Sequence, residues 1–290
     1  MPHVSCQDGV RLYYEEAGSG QPMVFVHEFA GEYRSWEAQM RYFSRKYRCV
    51  AYNARGYPPS DVPDSPDAYS FEHQRSGLLA VLDSLGIEKA HIVGLSMGAF
   101  ATFYFGMKWP ERALSLTLAG IGSGSMPDAR AAFAGESEAA GDSLLEKGWP
   151  EMAPVRGLTP TRVQLRNKDP RGFAEFLQML SEHSAKGSAM TLKGYQARRP
   201  ALQDFAAEMA ACTVPTLIVS GDEDWPCLDA SLMLKRAMPS AGLAFLPQTG
   251  HACNLEEPAL FNLLLERFVH QVDSGQYQMR DPLAKPGRML

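Results

Sequence analysis

No stretch of this 290-residue chain approaches the ~20 consecutive apolar residues that a membrane-crossing helix needs. Met1–Val10 has no basic segment followed by an apolar one, so no secretory signal is expected. Excess positive charge is also missing: 28 Lys and Arg stand against 33 Asp and Glu, a net charge of −5, which argues against nucleic acid as a partner. The five cysteines (Cys6, Cys49, Cys212, Cys227, Cys253) are odd in number and widely spaced, with no CxxC pair. That usage suits free thiols in a reducing compartment better than a disulfide or zinc framework. No H-E-x-x-H or paired-histidine pattern offers a metal site. Gly18-Ser19-Gly20 precedes the first parallel strand instead of following it as part of a dinucleotide fingerprint. The expectation is a cytoplasmic protein without metal or cofactor, acting on a small molecule and bound to neither nucleic acid nor membrane, as a monomer or homodimer.

The composition that remains, 45% hydrophobic and 21% charged, is that of a globular protein with a large core. Short β-branched or aromatic runs alternate with longer amphipathic stretches, which predicts an α/β fold with a mostly parallel sheet flanked by helices. A hairpin is expected at His3–Cys6 and Val10–Glu16, turning at Asp8-Gly9. Strands are expected at Met23–His27, Arg48–Tyr52, Ala90–Val93 and Ala113–Ala119, with helices at Ser35–Tyr47, Ser70–Leu85 and Met97–Trp109 between them. From Gly122 to about Ala211 the rhythm stops, and only helical fragments broken by Gly and Pro remain. It resumes with strand Pro215–Ser220, helix Leu228–Met238, strand Leu243–Leu246 and helix Leu255–Val272. Residues 1–121 and 212–273 therefore read as one core domain, 122–211 as a helical insertion, and 274–290 as a polar arm or disordered tail.

Gly94-Leu95-Ser96-Met97-Gly98 is a G-x-S-x-G pentapeptide, weak by itself but placed between a predicted strand and a predicted helix. A serine in that sharp turn is lifted off the sheet, and the N–H of Met97 at the helix N-terminus can face an oxyanion. Serine needs an imidazole to take its proton. Of seven histidines, only His251 lies after a late strand, in a turn before the last helix. The acid is sought after the preceding strand, in Gly221-Asp222-Glu223-Asp224-Trp225-Pro226; Asp224 is preferred, with Asp222 as the alternative.

These residues resemble the α/β-hydrolase superfamily from Val10 to Val272. His27-Glu28-Phe29-Ala30-Gly31 is similar to that family's H-G-F-x-G oxyanion loop. Asn53–Asp61 is similar to its D-x-R-G-x-G-x-S-D segment, and the elbow, the G-x-x-D of Gly221–Asp224 and Gly250-His251 follow in order. The resemblance implies an α/β-hydrolase fold whose insertion is a cap. It implies Ser96 as nucleophile, Asp224 as acid, His251 as base and the N–H groups of Phe29 and Met97 as oxyanion donors, with Arg55 structural; His27, which closes a strand, reads as a structural or oxyanion-loop residue. Serine at the elbow argues against the family's dehalogenases and epoxide hydrolases, which use Asp there.

Glu28 departs from the pattern, standing where the family usually has Gly, and is expected to point away from the oxyanion site. Pro58 replaces a second loop glycine and should stiffen that loop. In the insertion, Arg156, Arg162, Arg166 and Arg171 are expected to form a solvated basic face, while apolar residues such as Phe133, Trp149, Phe176 and Leu180 build a core and part of a pocket. Trp225 and Cys253, beside the acid and the base in sequence, are further pocket candidates with Glu28. The reading is a serine hydrolase of an ester or lactone. The alternatives are hydrolysis of a carbon–carbon bond in a diketone-like ring-cleavage product, or a ligand-binding protein with residual activity.

Overall fold

Most of the central strand-forming runs are largely apolar, so they need cover on both faces. In the computed structural model, which describes residues 2–284, they lie in one eight-stranded sheet. The strands are β1 (His3–Ser5), β2 (Arg11–Ala17), β3 (Gln21–Val26), β4 (Tyr47–Tyr52), β5 (Ala90–Leu95), β6 (Ala113–Ala119), β7 (Thr216–Gly221) and β8 (Ala241–Leu246), in spatial order β1-β2-β4-β3-β5-β6-β7-β8. β1 pairs antiparallel with β2, and β2 with β4; every later pairing is parallel. β5 and β7 are buried along their whole length.

Helices α1 (Glu37–Phe43), α2 (Phe71–Ser84) and α3 (Met97–Lys108) connect β3, β4, β5 and β6 in turn. Two apolar clusters result. One contains Leu78, Val81, Phe100, Phe103 and Leu116, and the other contains Phe25, Trp36, Phe43, Phe261 and Leu265. Between β6 and β7 the chain is helical: α4 (Arg130–Gly157), α5 (Val163–Lys168), α6 (Pro170–Ser181), α7 (Ala185–Thr191), a π-helical turn at Leu192–Gln196, and α8 (Ala206–Ala211). α4 breaks at Gly148, which adopts φ 74° and ψ 169° just before Pro150. After β7 come α9 (Trp225–Ala237), then β8, the short α10 (Cys253–Glu256) and α11 (Pro258–Asp273). Among the described residues no helix is long and apolar enough to cross a membrane.

Two expectations need correction. The helix expected over Ser35–Tyr47 begins as a 3-10 turn at Tyr33–Trp36, capped by the Glu32 side chain, before α1 starts. The segment from 274 is tied down at first: Tyr277 Oη donates to the carbonyls of Thr216 (3.1 Å) and Ser240 (2.8 Å), and Arg280 Nη1 to that of Lys235 (2.8 Å). An aromatic and an arginine that satisfy carbonyls at the start of β7 and before β8 hold down a stretch whose polarity suggested an arm. Residues 285–290 of that stretch lie outside the described residues.

Candidate active site

Parallel β-strands end where the following helices begin, so side chains from several connections converge at the C-terminal edge of the sheet. Ser96 sits there, between β5 and α3, at φ 52° and ψ −113°. A non-glycine residue in that region is strained, and the surroundings must hold it. They do so through Gly98: a Cβ at that position would lie 2.1 Å from the carbonyl oxygen of Val26, so only glycine lets α3 press against the end of β3.

The carbonyl of Ser96 accepts the N–H of Phe100 at 3.0 Å. In a trans peptide the N–H opposes the C=O, so the Met97 N–H points out of the helix N-terminus. The same logic fixes Phe29. The carbonyl of Glu28 accepts from His27 Nδ1 (2.7 Å) and from the N–H of Gly31 (3.2 Å), which turns the Phe29 N–H the other way. His27 Nε2 in turn accepts the N–H of Ala54 at 3.0 Å, so the proton of this ring is on Nδ1. Burial pushes the His27 pKa down to about 4, which keeps it a neutral strut. Tyr57 Oη braces the loop further by donating to the Phe29 carbonyl (2.9 Å).

His251 Nδ1 lies 2.7 Å from Asp224 Oδ2, and Asp224 is fully buried. With Nδ1–H donating there, the Nε2 lone pair is left free for base chemistry. Burial alone would lower the His251 pKa, but the charge and hydrogen bond of Asp224 outweigh it, and the net shift is upward. Asp222 does other work: its Oδ1 accepts the N–H of Thr249 (3.2 Å). Glu223 accepts from Gln164 (2.7 Å). The backbone around the histidine is clamped by Glu256, whose two oxygens accept the N–H groups of Gly250 (2.6 Å) and Ala252 (3.0 Å). The helical insertion also reaches this loop, because the carbonyl of Thr161 accepts the His251 N–H at 3.0 Å.

Ser96, His251, Glu28 and Phe29 line one cavity of about 210 Å³, together with Phe133, Trp149, Arg156, Arg162, Phe176 and Leu180 of the helical insertion. Glu28 does not point away. It is buried in this wall and paired with Arg162, which is itself buried instead of forming a solvated face. Each partner rescues the other from an uncompensated charge in the interior. The Glu28 carboxyl is held below its usual range: burial would raise it, and the Arg162 guanidinium overrides that. Arg156 also lines the cavity, whereas Arg166 and Arg171 are exposed as expected. Trp225 is 74% exposed and off the cavity, because α9 starts there and turns its first residue outward. Cys253 is fully buried, packed with Phe261 and Leu265 and not against the cavity.

Asp224, Cys227 and His251 bring three potential ligand atoms within 4.8 Å of one another. The donor chemistry does not suit a metal. Burial, then the charge of Asp224, pushes the Cys227 thiol well above its ordinary pKa, and its sulfur donates to the Gly120 carbonyl (3.3 Å). A protonated thiol is a poor ligand, and the imidazole and carboxylate already satisfy each other.

Residues 21–258 match the family model described as the alpha/beta hydrolase fold. The chain belongs to the alpha/beta-hydrolase family. It is 34% identical over 110 residues to epoxide hydrolase 2 of Siraitia grosvenorii, a match covering 38% of this chain and 35% of that protein. The match thus spans only about a third of the length of that relative. Similarity to 3-oxoadipate enol-lactonase 2 of Acinetobacter baylyi is lower, 27% over 273 residues, but covers 91% of this chain and 94% of the lactonase. Among solved structures, the enol-lactonase from Burkholderia xenovorans LB400 superposes with a TM-score of 0.80 at 20% identity, covering 93% of this chain and all of its own. At that identity the likeness shows the alpha/beta-hydrolase fold alone. The family and its relatives support a hydrolase.

Proposed function

We propose that this hydrolase cleaves an ester or lactone through an acyl-enzyme on Ser96, with His251 as base and Asp224 as its partner. The observation that carries the reading is the buried Asp224–His251 hydrogen bond at the wall of the cavity that also contains the strained Ser96. His251 Nε2 takes the Ser96 hydroxyl proton as Oγ attacks the carbonyl carbon. The N–H groups of Phe29 and Met97 hold the oxyanion of the tetrahedral intermediate. His251 then gives its proton to the leaving oxygen, and the C–O bond breaks. For a lactone the leaving group stays attached to the acyl chain. Water, deprotonated by the same imidazole, releases the acid and returns Ser96.

The near full-length similarity to an enol-lactonase supports lactone or ester cleavage over epoxide opening. The epoxide-hydrolase match is confined to 110 residues, and this chain has serine at the elbow. The test is a panel of neutral aryl esters, δ- and γ-lactones, and a vinylogous diketone, assayed with wild type, Ser96→Ala and His251→Ala. Ester or lactone turnover that falls by about 10³-fold or more in both variants supports the reading. Turnover of the diketone alone, or turnover that survives loss of Ser96, contradicts it.

A further inference from the structure

Three arginines are essentially buried among the described residues, and two of them have a carboxylate: Arg55 pairs with Asp8 at 2.7 Å, and Arg162 with Glu28. The third, Arg199, is 2% exposed, lines the cavity and has no acidic partner among the described residues. It donates one hydrogen bond to the backbone carbonyl of Ser123. Its guanidinium lies 3.8 Å from the ring centroid of Phe100 and 4.8 Å from that of Phe133, so two aromatic faces hold it in place. A second cation adds to the imbalance: Arg130 donates to the backbone carbonyls of Arg199 and Ala197.

A buried guanidinium without a counter-ion is costly, and an apolar or amide side chain of similar volume would fill the same slot with less penalty. The slot is next to the chemistry. Phe100 is one helical turn beyond Ser96. Ser123 touches Cys227 Sγ at 3.5 Å, which lies 3.9 Å from His251 Nδ1. Elsewhere in the same lining, the half-buried Arg156 stacks 5.8 Å from the ring of Phe29, again without an acidic ion-pair partner among the described residues. The cavity wall thus holds three guanidinium groups against two carboxylates, Glu28 and Glu136.

We propose that Arg199, supported by Arg156 in the same lining, forms a carboxylate subsite, so that the substrate is an ester or lactone carrying one free carboxylate within the same cavity. A planar, delocalised fork held between rings is suited to a bidentate carboxylate. An excess of one positive charge matches a monoanion better than a phosphate dianion. The proposal deepens the hydrolase reading above and rests on it for the position of the scissile bond.

The test compares the mono-4-nitrophenyl ester of adipic acid with the same ester whose far carboxyl is methylated. The wild type should favour the free acid by about ten- to a hundred-fold in kcat/KM, the range of charge-assisted hydrogen bonding. Arg199→Gln should abolish that preference, read within the variant as the ratio of kcat/KM for the free acid to that for the methylated ester, and Arg156→Gln should reduce it. Arg199→Lys, which keeps the charge but not the fork, should fall between wild type and Arg199→Gln and serves if the Gln variant does not fold.

In parallel, calorimetry on Ser96→Ala with monomethyl adipate and dimethyl adipate reads the subsite without turnover. If the monoanion binds, the diester does not, and the difference vanishes with Arg199→Gln in the same background, the subsite stands even where Ser96 proves not to be the nucleophile. Equal kcat/KM for the two esters in wild type, with equal binding of the two adipates, overturns the subsite while leaving the hydrolase reading intact. Tighter binding of inorganic phosphate than of monomethyl adipate also overturns it.

Discussion

Replacing Arg162 with Met isolates Glu28 in the wall of the cavity, and the consequence follows from charge and burial. Glu28 is 1% exposed, and its Oε1 has no hydrogen-bond partner among the described residues, so the Arg162 guanidinium is its main compensation. Without it the carboxyl stays protonated in the fold at pH 7, as buried carboxyls lacking a partner do. Holding it protonated against an unfolded value of about 4.4 costs about 3.5 kcal/mol at pH 7 and about 1.5 kcal/mol at pH 5.5. The sign is opposite in the two proteins. In the wild type the carboxyl sits below its ordinary value, so its contribution is present above about pH 4.4 and is lost as pH falls through the folded value. In the variant, stability instead declines as pH rises above about 4.4. The gap therefore widens with pH.

For 290 residues, at about 2.1 cal/mol/K each, the loss at pH 7 corresponds to about 5–6 °C in Tm. Thermal and urea unfolding of wild type, Arg162→Met and the double variant Glu28→Gln/Arg162→Met at pH 5.5 and 7 measure it. The double variant should recover most of the loss, since no charge is left buried. An Arg162→Met protein within about 0.5 kcal/mol of wild type, or a deficit independent of pH, refutes the reasoning.

Further outcomes follow from the same structure. Activity should rise with pH as His251 loses its proton, with a midpoint above the ordinary 6.5 because Asp224 holds the imidazolium; a pH–rate profile flat from pH 5 to 8 contradicts this. Asp224→Asn should lower kcat by about 10³–10⁴-fold with little change in KM, as steady-state kinetics would read. Glu256→Gln keeps only one acceptor oxygen for the Gly250 and Ala252 N–H groups, so stability should fall by about 1–3 kcal/mol in urea titration and kcat should fall with it. Trp225→Ala should leave kcat/KM within about twofold of wild type, since the ring is in solvent off the cavity.

Periodicity was enough to find the sheet, because the runs at β3, β5 and β7 are largely apolar, β6 alternates leucine with small or polar residues, and each is bounded by Gly, Pro or polar turns. Ser96 and His251 were legible from local context: a glycine pentapeptide at a strand–helix junction, and a histidine between the last strand and the last helix. The sequence preferred Asp224 over Asp222, and the hydrogen bonds agree with that preference. Both stand in one turn, and the hydrogen bonds separate the partner of the imidazole from the brace of Thr249.

The cavity walls were harder to read, for a physical reason. Glu28 and Arg162 are 134 positions apart, and neither neighbourhood announces the other, so a charge read alone is expected to face water. Arg199 stands out in no local motif, because its burial depends on rings from α3 and from the start of α4. Proximity in sequence misled at Trp225 and Cys253, where the first turns of α9 and α10 rotate the two side chains away from the site. The Glu256 clamp had a signal that could have been used: an acidic residue at the start of a helix just after the histidine can reach back to loop N–H groups.

The central claim is that Ser96 is an activated nucleophile, and covalent labelling tests it most directly. A fluorophosphonate probe incubated with wild type, Ser96→Ala and His251→Ala, followed by peptide mass mapping, reads the modified atom. Stoichiometric modification of the peptide containing Ser96 is expected in wild type, none in Ser96→Ala, and strongly slowed labelling in His251→Ala. A folded wild type that stays unlabelled, or a label on any other residue, would contradict it.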